Sequence, residues 1–414
     1  MDIVLRNEAQ FRKETTFRLD QRRAISLGLL ETGAQTFFLL IAVQLFQADA
    51  LTKSLLVMSG PLGLLLSPLA VWWVRRKRWT AAGGGAFYSA LGALGFLLAA
   101  VIGTQPAYVA GCMLGAVGTT CAIPLLTQIY QNNYPGAERG DLFSQTVVLR
   151  VISAGVFSWL GGYVLGNGME QYRWLIGGMA LAAALSSYFL HKMPSETLQD
   201  VESAHPFHAM RHIRQDRIFR WLLISWMLMG LGNLIMLPLR VDYLANPLFG
   251  ILKNPEQVAF LTGVIPSVTI LLTTRMWGRL FDRVNFFVLR ICLNFGFILG
   301  IVFFFILANE TGFIIGSLCF GLANAGGNVA WSLWVTKVAQ PGDVAEYMSV
   351  HTFTTGLRGV ISPFLGFYLA SHFSISAVAW GCVLLIVLGS TLLVPEVNDV
   401  RNRKFQSKKS RINR

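Results

Sequence analysis

Apolar residues in this chain run in uninterrupted stretches about as long as a bilayer is thick, parted by short polar breaks, without the one-sided stripe of a helix lying on a soluble core. A spanning helix needs about 20 such residues at about 1.5 Å rise each. The pattern predicts an all-α membrane protein of twelve spans. They are placed at Ala24 to Phe46, Ser54 to Val74, Trp79 to Ile102, Pro106 to Ile129, Phe143 to Gly166 and Arg173 to Leu190. The second set is placed at Trp221 to Leu239, Glu256 to Met276, Phe286 to Leu307, Gly312 to Val335, Met348 to Leu369 and Ile375 to Leu393. A polar stretch between them sets six helices against six. The organisation expected is an N-terminal tail 1–23, a half 24–190, a linker 191–220, a half 221–393 and a basic tail 394–414.

Composition agrees, with 54% hydrophobic and 13% charged residues, against about 25% charged in soluble chains. The first twenty-three residues are charged and the first apolar run is a full span, which reads as a signal-anchor and not a removable leader. The net charge of +13 would fit a nucleic-acid partner if it were not so unevenly placed. Lys53, Arg173, Arg240 and Lys253 fall on one side of the predicted membrane, Arg150, Arg290 and Arg358 fall within helices, and every other Lys and Arg falls on the termini's side. That is the positive-inside pattern of a multi-pass protein of the cell (inner) membrane with both termini cytoplasmic. The tail Arg401 to Arg414 then reads as a topology and lipid-headgroup signal, with no nucleic-acid partner.

Cys112, Cys121, Cys292, Cys319 and Cys382 all lie in predicted helices and read as small packing residues. His205, His208 and His212 share the linker without Cys or carboxylate partners at ligand spacing, so no metal and no cofactor is expected. Gly83-Gly84-Gly85 lacks the strand-to-helix setting of a phosphate loop and reads as helix packing. No nucleophile, base and orienting group occur at recognisable spacing, which argues against an enzyme.

The halves are related by one constant displacement: Pro61 meets Pro266, Trp72 meets Trp277, Arg78 meets Arg283, Gly111 meets Gly316, Asp141 meets Glu346, and Tyr163 meets Tyr368. A single register held from the second helix to the fifth marks a duplicated six-helix unit. Parallel repeats of this kind place a solute site near the midplane, between the halves.

Gly278-Arg279-Leu280-Phe281-Asp282-Arg283 and Pro135-Gly136-Ala137-Glu138-Arg139-Gly140 resemble the loop signatures of the major facilitator superfamily. The first-half partner of the former, ending in Arg75-Arg76, keeps the basic cluster but lacks the Asp, and Pro341-Gly342-Asp343 is the partner of the latter. Tyr347 to Gly366 resembles a poorly characterised bacterial branch. The resemblance implies a secondary transporter of two pseudo-symmetric six-helix bundles working by alternating access. It also implies a latch in which Arg279, Asp282 and Arg283 hold the cytoplasmic ends of helices eight and eleven, and a central cavity lined by helices one, four, seven and ten with two, five, eight and eleven beside them.

Ionisable groups inside spans are costly and point to a cavity. Glu31 is the one acidic residue well inside a predicted helix, with Gln35 a turn along the same face. Arg150 lies roughly 10 Å into helix five and Arg358 roughly 15 Å into helix eleven. His351, Thr355, Arg358 and Ser362 follow one stripe, and helix ten adds Asn324 and Asn328. A guanidinium stays charged and suits carboxylate or phosphate, so Arg150 and Arg358 point to an anionic or zwitterionic small organic solute. Arg150 serves as a site residue or a gate; Glu31 as a proton-coupling carboxylate or a fixed counter-ion to one Arg; the asparagines bind solute or join helices. Trp331 and Trp334 cap the cavity or anchor the membrane interface. The expected partners are a small-molecule solute, membrane lipid and coupling protons. A proton-coupled exporter of cationic drugs is the alternative, which two intramembrane arginines oppose. So does the antiporter signature of helix five, of which Gly161-Gly162 remains without the preceding Gly-Pro. A transport-inactive sensor or assembly partner is the alternative from a different class.

Overall fold

The computed structural model describes residues 2–135, 138–198, 210–339 and 344–397. Within them every extended element is helical, and the β-pairing is one isolated bridge, Thr80 with Thr197. Among the described residues, eleven helices are long and apolar enough to span a membrane. These are α1 Glu8–Gln44, α2 Ala50–Arg76, α3 Ala81–Val101, α4 Gln105–Asn133, α5 Arg139–Gly166, α6 Met169–Lys192, α7 Arg217–Ala245, α8 Pro255–Arg283, α9 Phe286–Leu307, α10 Glu310–Trp331 and α12 Ile375–Val397. Between the last two runs α11, Val344–His372, which is as long as the others but diluted by His351, Thr354, Thr355, Arg358 and Ser362. The face carrying the start of α1 is called here the near face, and its opposite the far face.

Side-chain caps set many of the breaks. Asp49 accepts from Thr52 N, Thr80 from Gly83 N, Asn309 from Gly312 N and Ser374 from Ala377 N, each satisfying an otherwise orphaned helix amide. At α8, Asn254 and Gln257 form a capping box with Pro255 at the first helical position.

The expected tail 1–23 is a difference. Residues from Asp2 onward are helical and continuous with α1. Their charge hides them from a hydropathy reading, yet Thr16, Asp20 and Arg23 are buried on one face. Tyr130 Oη donates to Asp20 at 2.7 Å, Arg23 Nε donates to Asp20 at 3.0 Å, and Asn133 donates to Thr16 and to the carbonyl of Pro194. This polar network ties α1 to the near end of α4. The basic tail 401–414, His205, His208, Gly136-Ala137 and Pro341-Gly342-Asp343 lie outside the described residues.

Each set of six helices packs on itself, α3 on α4 and α6 and α1 on α5 in the first, α8 on α10 and α7 on α12 in the second. Lipid supplies little hydrophobic drive between helices, so close packing of small residues must do it. A Cβ on Gly95 would stand 2.6 Å from the amide of Gly115, and one on Gly111 only 2.5 Å from the carbonyl of Gly95. Likewise a Cβ on Gly84 would press on Val74, so the triple glycine serves packing. Gly111→Leu is expected to destabilise the folded protein by about 1–3 kcal/mol through overpacking, read as a fall in the thermal midpoint in detergent. An unchanged midpoint would contradict this account of the α3–α4 contact.

Candidate functional site

Among the described residues the two halves meet through α1 with α7 and α8, and through the pairs α2 with α11 and α5 with α8. The last two are related by the internal repeat. Glycines permit the approach: a Cβ on Gly162 would lie 2.8 Å from Ala259 Cβ, and one on Gly359 would lie 2.6 Å from Pro61 Cβ. Ser158 Oγ donates to the carbonyl of Ala259 at 2.9 Å, Ser54 to that of Pro363 at 3.3 Å, and Gln44 to that of Lys253 at 3.1 Å.

Two irregular turns meet at this seam. Gly33–Phe37 of α1 and Phe260–Val264 of α8 are π-helical, and their Thr36 and Thr262 hydroxyls are hydrogen-bonded at 3.2 Å. Single π turns inside long helices re-aim side chains and often sit at functional positions. Further toward the far face Lys53 of α2 reaches Asp242 of α7, at 3.0 and 2.8 Å to the two carboxylate oxygens. Asn246 also donates to Asp242, and the Lys53 ammonium sits 5.0 Å from the centre of the Phe367 ring of α11. With side chains 9% and 2% exposed, this is a buried ion pair joining the halves.

The near side is different. Arg279, Asp282 and Arg283 are exposed and, among the described residues, make no hydrogen bond or ion pair. The latch expected by resemblance would engage the start of α11, where residues 340–343 and the side chains of 344–346 lie outside what the structure describes. The first half, which lacks the signature Asp, holds its own near end by the Asp20–Arg23–Tyr130 network.

On the near side of the Thr36–Thr262 link, Glu31 and Gln35 of α1 are exposed, Gln35 within the π turn itself. Arg150 Nε of α5 stands 3.4 Å from Glu31 Oε2, close enough for an ion pair but without hydrogen-bond alignment, the side chains being 29% and 42% exposed. Thus Glu31 and Arg150, two residues singled out separately, are brought together beside the interface. Ser153 donates to the carbonyl of Ile25 and Thr32 to that of Ala154, fixing the register of α1 on α5 that makes the pair possible.

Helix eleven departs from expectation. Arg358 and His351 do not line the open side: they are 6% and 1% exposed, turned into the α7–α12 half. The reason is local. Gly230 of α7 has no side chain where the guanidinium lies, and Arg358 Nη1 donates to the carbonyl of Trp226. The Arg358 side of α11 faces α7, and the opposite side is given to α2 at Gly356 and Gly359. Trp334 is likewise fully buried, against Phe219 and Phe286, which is neither a cavity cap nor an interface anchor. On α10, Asn324 is half-buried and Asn328 exposed, on the helix that packs on α8 through Gly321. Cys112, Cys121 and Cys382 are buried as packing residues and all five cysteines are free.

Lys53 and Asp242 were not singled out from sequence. Their signal was a Lys and an Asp just beyond the ends of predicted spans, on the side otherwise poor in basic residues.

The Major Facilitator Superfamily family model matches residues 24–311 and 242–413. The chain belongs to this superfamily. A Bacillus subtilis (strain 168) protein described as the uncharacterized MFS-type transporter YuxJ is 32% identical over 180 residues, 42% of this chain and 43% of that one. The match therefore spans less than half of that relative. Among solved structures, the nucleoside transporter NupG (D323A mutant) superposes with a TM-score of 0.74 at 14% identity, covering 93% of this chain and all of that one. The D-xylose-proton symporter gives 0.68 at 16% identity over 92% and 96%. The xylose transporter XylE from E. coli in its inward open conformation gives 0.67 at 14% identity over 91% and 94%. The fold is the major facilitator fold with its twelve helices, and the family and fold are those of multi-pass membrane transporters.

Proposed function

We propose that this chain is a secondary active transporter of a small organic solute bearing an anionic group, worked by alternating access and coupled to protons. The near face is read as cytoplasmic, from the basic residues concentrated there, so the arrangement described is closed outward and open inward. What supports the reading above all is the Arg150–Glu31 pair. A guanidinium in a membrane helix is expensive unless it serves a site, and this one is partly exposed beside the seam and loosely held. An incoming carboxylate or phosphate can take Arg150 in bidentate fashion. Glu31, relieved of its cation, is then left to take up a proton, so solute and proton travel together. Gln35, one turn along α1, offers an amide to the same solute.

The test is a stabilisation screen of the purified protein against small carboxylates, phosphates, sugars and nucleosides, followed by uptake into proteoliposomes. Arg150→Ala is expected to weaken binding of the identified solute by about ten- to a hundred-fold, the worth of a charge-assisted hydrogen bond of about 1.5–3 kcal/mol. Glu31→Gln should bind but lose the response of uptake to an imposed proton gradient. Unchanged affinity in Arg150→Ala overturns the anionic-solute reading, and a cationic solute that requires Glu31 would replace it with the exporter. Unchanged coupled flux in Glu31→Gln removes that residue from coupling.

A further inference from the structure

Inside the second half lies a group of side chains that the transport reading does not use. Arg290 of α9 is 1% exposed, with its guanidinium carbon 3.8 Å from the centre of the Trp226 ring. Arg358 of α11 lies on the same indole at 5.8 Å, and the His351 ring at 5.0 Å. His351 is also 5.0 Å from Trp334. Two guanidiniums and an imidazole thus share one tryptophan in the interior of a membrane bundle.

Their partners fall short of what they carry. Arg358 Nη1 has the carbonyl of Trp226, and Arg290 Nη2 has only the thioether of Met229, a weak acceptor, at 2.7 Å. Nε of both arginines, both ring nitrogens of His351, the indole N–H of Trp226 and of Trp334, and the Thr355 hydroxyl are buried without a hydrogen-bond partner. No carboxylate pairs with Arg290 or Arg358 among the described residues. The described carboxylates of this half are engaged or exposed elsewhere: Asp216 is held at the first turn of α7 and by Tyr347, Asp242 by Lys53 and Glu310 by Lys253, Glu396 is engaged away from these arginines, and Glu256 and Asp282 are exposed. Arg240, another buried guanidinium of this half, lies against Phe320 and donates Nε to the carbonyl of Leu237 at 3.3 Å, with no carboxylate partner among the described residues; Arg290 and Arg358 repel each other as well.

Leaving one buried charge unpaired costs several kcal/mol, and unmet buried donors add to it. Every unpartnered group named here can donate a hydrogen bond, His351 through one ring nitrogen when neutral and both when charged. The missing component is therefore an acceptor with negative charge. We propose that Arg290, Arg358 and His351 close around Trp226 as an anion site within the α7–α12 half, separate from the Arg150–Glu31 pair, which takes one small oxyanion group of phosphate or carboxylate type. That group is supplied either by a free inorganic anion or by the anionic end of the transported solute.

Equilibrium binding of radiolabelled inorganic phosphate to the purified full-length protein, at constant ionic strength in chloride, tests this. Saturable binding is expected, weakened at least tenfold by Arg290→Met and by Arg358→Met and unaffected by Arg76→Ala, an exposed charge elsewhere. The wild-type isotherm decides on its own if the variants fold poorly: no saturable binding of phosphate, and none of sulfate or acetate in the same assay, overturns the site. Saturable binding that survives both arginine replacements overturns it equally. A solute that displaces the label competitively identifies its own anionic group as the occupant; one that binds alongside it identifies a free anion. Loss of solute binding in Arg150→Ala with phosphate binding intact keeps the two sites distinct.

Discussion

Asp242→Asn is expected to shift the equilibrium away from the far-side-closed state by about two to three and a half orders of magnitude. The carboxylate holds Lys53 from two oxygens in a site where both are buried, and the Phe367 ring beside the ammonium cannot replace a full counter-charge. Removing one partner of a buried pair costs about 3–5 kcal/mol because the other charge is stranded. Here the cost falls on one conformation only. When the far side opens, Lys53 and Asp242 part and each meets water, so the substitution leaves that state nearly untouched. The penalty becomes a population shift, about tenfold for each 1.4 kcal/mol. Spin labels on the exposed far-face positions Leu51 and Leu248 should report a longer distance in the variant. The exchange Lys53→Asp with Asp242→Lys should restore much of the short one. An unchanged distance distribution in Asp242→Asn would show that the helix pairs alone close the far side.

The second large effect is on folding. Asp20→Leu is expected to lower stability by about 3–5 kcal/mol, because Arg23 then lies buried with only the Tyr130 hydroxyl, at 3.2 Å. No conformational escape is available, since α1 and α4 belong to the same half. The double variant Asp20→Leu, Arg23→Met should regain most of the loss, as replacing both members of a buried pair by apolar groups is often neutral. The readout is the detergent thermal midpoint of the two variants against the parent. Equal midpoints for parent and Asp20→Leu would mean that the network only decorates the near end of α1.

These two sites were illegible in the sequence for the same reason. Asp20 and Arg23 sit in a charged segment that hydropathy assigns to a tail, and Lys53 and Asp242 at the rims of apolar runs, where charge is ordinary. Hydropathy measures the cost of leaving water, and it cannot show that two costly groups are each other's compensation. The helices themselves were legible, because a run of apolar residues long enough to span has few alternatives in lipid. Their near-face ends were underestimated: α5 and α7 begin at Arg139 and Arg217, about a turn earlier than predicted, since polar turns there continue the helix out of the apolar layer.

Of the candidate residues, Glu31 and Arg150 came from their chemistry alone, and the tertiary structure added that they face each other. Arg358 and His351 came from the same reasoning and proved to be oriented inward. Along α11 the polar stripe is real, but periodicity says only that four side chains share a face, not which neighbour that face meets. Gly230 on another helix decides it.

The sequence by itself determined twelve membrane helices, because spanning length is a property of segments, and its loop signatures carried the resemblance to the major facilitator superfamily that the family match bears out. Only the tertiary structure decided which of its charges are paired across the halves, which are paired within one, and which two arginines share an indole without a counter-ion among the described residues. Those are properties of pairs of segments, set by where a glycine lets one helix approach another.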